Sequence, residues 1–512
     1  MALAKFYDKA ALAASHILRG FDEKAFANAI SATPITLFFD KSAAESREGR
    51  WTLELAVNLL ARLYPRISIV SEKQSELVSK LAKNARAINP QIEVDDEHTP
   101  SSVCLAVGNS LAPNSRSLVY IGSDGWITKI SSKTPVGSAD TGVPFGADAA
   151  ACIGVANVFR TTFSDQLDDG RLDEMWQMSL LDFDPSSCQP ANPLIGEVDF
   201  KDTHLVGIGA IGNGCVWSLS RMQNLRGELH LIDAQAIELS NLQRYVLAED
   251  GTIGRLKVDI AKDFLSKTGL NVATHPHSWG TYLTKRNDWH LSRVAVAVDT
   301  AKDRQAIQAA LPEWIVNAWT QVGDLGVSRH SFLGNQACLA CLYLATGVTK
   351  NDDELVAESI GLLGETPQVR KMLFTNEPLT RAFITRIAEA TKANLDKLLK
   401  FEGQPLRVFY SEAVCGGILL SLGANASMQR RVEIPMAFQS ALAGIFMAAE
   451  LVARGANLKS SPPPVTTKLD LLRPLGTYIS LPAPKPTAGN CVCQDSDYVQ
   501  VFTQKYLGEK VN

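Results

Sequence analysis

Gly207, Gly209 and Gly212 stand at G-x-G-x-x-G spacing inside HLVGIGAIGNG (204–214). A strand-like run enters this segment and a helical pattern at 215–225 leaves it. Glycines there permit a tight turn and let the backbone approach a phosphate at a helix N-terminus, where unpaired N–H groups and the helix dipole favour anions. The strand-like ELHLID then ends in Asp233, about 20 residues after the last glycine, where a carboxylate can accept hydrogen bonds from ribose hydroxyls. A lone glycine match is a weak signal that a purely structural turn also explains. Strand, turn, helix and acid in this order predict a nucleotide site.

The charges that follow select among nucleotides. IELSNLQRYVLAEDGTIGRLKVDIAK places Asn241, Arg244 and Lys257 just past the acid. Transfer of an adenylyl group builds negative charge on the α-phosphate and on departing pyrophosphate, and preorganised cations stabilise both. VAVAVDTAKDR (294–304) adds a buried-type strand ending at Asp299, a carboxylate suited to Mg²⁺ bound to ATP phosphates. Each charge alone reads equally well as a solvated surface residue; their order after the fingerprint sets the group apart. A nicotinamide-dependent oxidoreductase would use the same fingerprint but leaves SNLQR and Lys257 unexplained.

Cysteines form the second set. Cys338-x-x-Cys341 and Cys491-x-Cys493 are close pairs far apart in sequence, suited to a Cys₄ zinc site; free buried thiols are the alternative. Cys415, in FYSEAVCGGILL, precedes two glycines that leave room for a bulky substrate, and a helix start there would favour thiolate. A buried helix cysteine is the competing reading. Cys104, Cys152, Cys188 and Cys215 read as structural.

The elements that must position these residues are legible in outline. To residue 190, ITLFFD (35–40), a helical pattern (51–63), ISIVS (67–71), a second helix (74–87), IEV (92–94), VCLAVG, LVYIG and an Ala-rich helix (145–163) alternate as in a parallel, doubly wound sheet. That half has no glycine loop after its first strand. Residues 183–198 have linker composition, a second α/β pattern starts at Thr203, and 346–412 turns polar and helical like an inserted subdomain. Apolar helices are expected at 414–422 and 435–453. At 512 residues, 46% hydrophobic and 20% charged, two or more ordinary globular domains are expected. The net charge of −4 disfavours a nucleic-acid partner. The lack of an 18-residue apolar run disfavours a membrane span, and the N-terminal amphipathic pattern is no secretory signal, so a cytoplasmic protein is expected.

These motifs resemble the ThiF/MoeB and ubiquitin-activating superfamily. The matching positions are Gly207, Gly209, Gly212, Asp233, Ser240 to Arg244, Gly254, Lys257 and Asp299. The resemblance covers most of 200–512 and is only architectural before 190, where FGADAAACIGVANVFR (145–160) is similar to a degenerate partner domain. It implies an α/β chain of two doubly wound Rossmann-like adenylation-type domains, the first degenerate and the second active, with a helical catalytic-cysteine insertion. The implied boundaries are 1–190 for the inactive domain, 195–345 for the ATP domain, 346–415 for the insertion, and 416–512 for the rest of the active domain with a zinc-binding tail. It further implies an internal pseudo-dimer and Mg-ATP-dependent adenylation of the C-terminal glycine of a ubiquitin-like modifier protein. A thioester on Cys415 and transfer to a conjugating enzyme would follow, as in bacterial antiphage conjugation operons. The second cysteine pair departs from the family's usual two-residue spacing. Family members that adenylate a sulfur-carrier protein without a thioester are the alternative.

Overall fold

The structure is a computed structural model that describes residues 3–73, 75–184, 187–321, 323–344, 352–410, 434–459, 464–475 and 479–508. Two sheets organise the larger compact unit, which spans 1–7, 18–344 and 435–512.

The first sheet contains β1 (Ile35–Phe39), β2 (Arg66–Ser71), β3 (Glu93–Asp95), β4 (Val103–Val107), β5 (Ser117–Asp124), β6 (Ile127–Ser131) and β7 (Met175–Ser179). The second contains β8 (Val198–Val206), β9 (Leu225–Ile232), β10 (Asn271–His275), β11 (Arg293–Val296), β12 (Trp314–Thr320), β13 (Leu325–Ser331), β14 (Thr466–Leu469) and β15 (Ile479–Leu481). Their orders are β3-β2-β1-β4-β5-β6-β7 and β10-β9-β8-β11-β12-β13-β14-β15. In each, the first five strands run parallel and pairing turns antiparallel at the sixth. The central strands β1 and β4 are buried along their whole length, as strands covered on both faces must be. The protein is therefore α/β with two Rossmann-like adenylation domains.

The correspondence extends to the helices. In both halves a long apolar helix, Phe145–Thr162 or Ala437–Gly455, lies between the sixth and seventh strands. The two helices pack on one another, with Phe159 and Phe438 ring centroids 5.8 Å apart. Ala437–Gly455 also meets the helix Ala210–Leu219 at backbone distance: a Cβ on Gly444 would lie 2.1 Å from the Ile211 carbonyl oxygen. By length and composition Ala437–Gly455 could cross a membrane, yet 94% of it is buried in the protein core.

Asp148, on Phe145–Thr162, crosses between the halves to accept hydrogen bonds from Ser218 Oγ and Trp217 Nε1. Burial pushes its carboxyl up to about 6, against the opposing pull of Arg221. A raised folded pKa gives stability that is present below the unfolded value and is lost as pH rises through the folded one. Ionisation of Asp148 should therefore cost about 3 kcal/mol of stability between pH 4 and 7. Asp148→Asn is expected to melt higher than the parent at pH 7.5 and to lose that advantage near pH 4, in thermal unfolding followed by circular dichroism. Equal melting temperatures at both pH values would contradict the assignment.

Two boundaries at the nucleotide site differ from expectation, and the helix expected at 51–63 is Arg47–Ala61. β8 begins at Val198 rather than Thr203, because a bulge between Asp199 and Asp202 interrupts the alternation that marks a strand. The glycine-loop helix is Ala210–Leu219, earlier than the 215–225 pattern, since its N-cap is Gly209 itself. Residues 345–434 with Asp8–Ile17 form a second compact unit. Its core gathers Phe383, Ile384, Ile387, Phe401, Leu406 and Phe409.

Candidate functional site

The glycine loop sits at the C-terminal end of β8, between β9 and β11. Gly207 is left-handed (φ +92°), and an added Cβ would lie 2.5 Å from the Ala297 carbonyl oxygen. A Cβ on Gly212 would meet the Gly207 carbonyl oxygen at 2.2 Å, so this glycine lets the helix close onto the strand. Gly209 differs: the nearest atom to its Cβ position is Tyr245 Oη at 3.6 Å, which leaves the helix N-terminus open to a ligand. Two glycines serve the turn and the third leaves space for a phosphate.

Asp233 follows β9. One carboxylate oxygen accepts from the Ile208 N–H at 2.8 Å and the other from the Gln235 N–H at 2.8 Å, which locks the acid beside the loop. Lys257, only 4% exposed, opens the helix Lys257–Leu265. Its Nζ donates to Gln235 Oε1 at 2.6 Å and to Tyr245 Oη at 3.2 Å. Asn241 and Arg244 lie in the connection between β9 and that helix. Asn241 accepts from the Glu238 N–H and braces a 3₁₀ turn, and the half-buried Arg244 guanidinium stands 5.5 Å from the Tyr245 ring centre. Asp299 is exposed just past β11, beyond the Ala297 that touches Gly207. The structure thus brings the glycines, Asp233, Lys257 and the SNLQR turn together around one helix N-terminus.

Four residues unsuspected from the sequence hold this arrangement. Asn213 donates to the Ile208 and Gly209 carbonyls, both at 3.0 Å, and accepts from the Leu247 N–H at 3.1 Å, which ties loop to turn. Tyr245 bridges Gly209 and Lys257. From the first half, Asn58 donates to the Val246 carbonyl at 2.9 Å, and Arg62 donates to the Leu242 and Ala248 carbonyls. Arg62 is fully buried, and burial pulls its guanidinium down to about 9. The half without a glycine loop therefore grips the backbone around Arg244.

The second candidate centre unites Cys338, Cys341, Cys491 and Cys493, whose sulfurs all lie within 4.8 Å of one another. Contacts of 3.7, 3.6, 3.3 and 3.5 Å link 338–341, 338–491, 341–491 and 341–493. Zn–S bonds of ~2.3 Å in a tetrahedron put sulfurs ~3.8 Å apart, so the set fits a zinc ion despite its one-residue second spacing. It also lies well beyond disulfide bonding distance. A further cluster of Asp202, His204 and His230 is served by Arg286, which donates to Asp202 Oδ2 at 2.8 Å and reaches His204 Nε2 at 3.0 Å. Burial pulls His204 down to about 3, so it is neutral there.

Cys415 lies outside the described residues. Of the remaining cysteines, Cys188 is exposed while Cys104, Cys152 and Cys215 are buried. Burial pushes the Cys104 thiol up to about 12 and Cys152 well above its usual value.

Residues 199–490 match the ThiF family, and residues 38–164 match Prokaryotic E2 family C. Protein y4jF of Sinorhizobium fredii (strain NBRC 101917 / NGR234), itself uncharacterized, is 44% identical over 511 residues, covering 99% of this chain and 98% of that protein. The molybdopterin-synthase adenylyltransferase of Escherichia coli (strain K12) is 36% identical over 81 residues, 16% of this chain and 32% of the relative. A crystal structure of E. coli MccB with MccA-N7isoASN covers 57% of this chain and 66% of its own at 14% identity, with a TM-score of 0.35, a distant likeness. With more than half its length matched and its nucleotide loop, acid and lysine assembled at one helix N-terminus, the chain belongs to the ThiF family and is an ATP-dependent adenylyltransferase.

Proposed function

We propose that the protein activates a ubiquitin-like modifier by adenylating its C-terminal glycine carboxylate with Mg-ATP. The observation that carries this reading is the open helix N-terminus at Gly209, faced by Tyr245, which holds the Lys257 ammonium. Asp233 would fix the ribose, Asn241, Arg244 and Lys257 would bind and stabilise phosphate charge, and Asp299 would hold Mg²⁺. The modifier's carboxylate attacks the α-phosphorus, its oxygen forms the new P–O bond, and pyrophosphate leaves with the electron pair of the broken bond. Cations already in place need no rearrangement as that charge develops. Zinc held by Cys338, Cys341, Cys491 and Cys493 would be structural. Exchange of labelled pyrophosphate into ATP, dependent on a ubiquitin-fold protein ending in glycine, tests the reaction; exchange in the absence of any such protein, or no exchange with any that is supplied, counts against it.

The proposal extends to an internal pseudo-dimer, with 1–190 as an inactive adenylation-type half, 195–345 and 416–512 as the active half, and 346–415 as a catalytic-cysteine insertion. The repeated strand order supports it. So does the chemistry of 38–164, where a conjugating-type step would need an accessible thiolate: the cysteines there are Cys104 and Cys152, both buried. We place thioester formation on Cys415, followed by transfer to a separate conjugating enzyme, in a cytoplasmic antiphage conjugation system. On non-reducing gels, Cys415→Ala should abolish the reducing-agent-sensitive modifier adduct while pyrophosphate exchange stays within about twofold, and Cys188→Ala should leave both intact. Loss of the adduct in Cys188→Ala instead would move the nucleophile. Exchange with no adduct in the parent protein would favour the alternative, adenylation of a sulfur carrier.

A further inference from the structure

A cavity of about 500 Å³ opens where β12 begins at Trp314 and β13 ends at His330 and Ser331. The glycine loop and Asp233 lie at the C-terminal ends of the parallel strands, so this cavity, at the start of β12, lies at the opposite end of the strands of the same sheet. Its size is that of sites that enclose small metabolites.

Cations outnumber acids among its lining residues, although Asp182 nearby also favours the charged form of Lys459 and the Phe183 ring faces both Arg329 and Lys459. Arg329, Lys459 and Arg454 line it, against Glu450 as the acid among the lining residues. Glu450 Oε1 accepts from Arg329 at 2.5 Å and from Lys459 at 2.6 Å, so one buried carboxylate answers two cations. Arg329 is only 7% exposed, yet its Nε has no hydrogen-bond partner among the described residues. Its charge is paired with Glu450, and its other terminal nitrogen donates to Thr467 Oγ1 at 2.9 Å and to the Pro464 carbonyl at 3.2 Å, so the unpaired Nε is a buried donor that costs stability. His330 adds no charge: both ring nitrogens are engaged, by the Ala337 carbonyl and Ser328 Oγ at 2.9 Å, and burial pulls it down to about 4. Arg454 is exposed, its guanidinium 5.6 Å from the centre of the Trp314 ring, which supplies a flat apolar wall.

We propose that this cavity is a second binding site, separate from the nucleotide, for a small organic anion whose carboxylate or phosphate oxygens engage Lys459 and Arg454, with the buried Arg329 charge behind them. Such an anion would offset the excess of cations among the lining residues. The site stands independently of the identity of the adenylated substrate.

The test uses the full chain labelled with fluorotryptophan, with the Trp314 resonance assigned by its loss in Trp314→Phe. Citrate and inorganic phosphate are titrated separately at constant ionic strength set with chloride. A saturable shift of the Trp314 signal is expected, weakened about tenfold or more in Arg454→Gln, the loss of one charge-assisted hydrogen bond. Arg454 is exposed, so this variant keeps its fold; Lys459→Gln provides a second, deeper probe. Response to citrate alone identifies a carboxylate ligand, and response to phosphate alone a phosphate ester. No saturable shift with either anion up to ~10 mM, the weak limit for a built anion site, overturns the proposal. A shift of equal affinity in Arg454→Gln and Lys459→Gln does so too.

Discussion

Lys257→Ala is expected to slow modifier-dependent ATP–pyrophosphate exchange by about 10²–10³-fold, the usual cost of removing one preorganised charge-stabilising donor. The magnitude follows from the lysine's setting. Its side chain is almost wholly buried and its Nζ is already held by Gln235 and Tyr245, so the ammonium waits in place for developing phosphate charge. Lys257→Arg should not rescue the rate, because a planar, larger guanidinium cannot occupy the space of a point ammonium between those two partners. Gln235→Ala, which frees the ammonium without removing it, should fall between the parent and Lys257→Ala. An exchange rate within threefold of the parent in folded Lys257→Ala would remove Lys257 from the catalytic site.

The parts of this site that could be read from sequence are those in which chemistry and position are local. Gly207, Gly209, Gly212 and Asp233 belong to one strand–turn–helix–strand unit, and each needs its residue type for a reason internal to that unit. The strands β1 to β5 were equally legible, since buried parallel strands are short apolar runs. Arg62 and Asn58 were not. They sit some 180 positions from the backbone they hold, on a helix whose pattern announces only amphipathicity, and their partners are carbonyls, which leave no trace in side-chain spacing. Tyr245 and Asn213 were hidden similarly, one inside an apolar stretch and the other as a helix interior residue that bonds outward. The antiparallel strands β6, β7 and β13, and the parallel strand β12 beside them, escaped because mixed residues such as those of ITKIS and WIVNAWT fit no single period. The C-terminal helix Ser496–Leu507 likewise carries no uninterrupted apolar face.

That helix is where the cysteine cluster has its consequence. Cys491 and Cys493 immediately precede it, and Phe502 stacks on Phe332 with ring centroids 4.9 Å apart. Lys505 donates to the Ala310 and Leu311 carbonyls at 3.0 and 3.1 Å. Tyr506 Oη donates to the Leu311 carbonyl at 2.8 Å and His290 Nε2 lies 2.8 Å from the Lys505 carbonyl, so these contacts hold the far end of the helix and leave its start to the cysteines. A tetrahedral ion on four thiolates would bind it to the segment after β13, since each cysteine pair supplies half of the ligands. The purified chain is therefore expected to contain about one zinc, and Cys341→Ser to lose it. In hydrogen exchange read by mass spectrometry, Cys341→Ser should deprotect 491–507 by at least about tenfold, while the strands of the first sheet keep parental protection. Removal of zinc from the parent by a strong chelator should reproduce that local pattern, because the metal contributes to folding of the segment that carries its ligands. A metal-free parent chain whose 491–507 segment is as protected as the rest would mean that packing of Phe502 and Lys505 suffices, and that the four thiols are core residues.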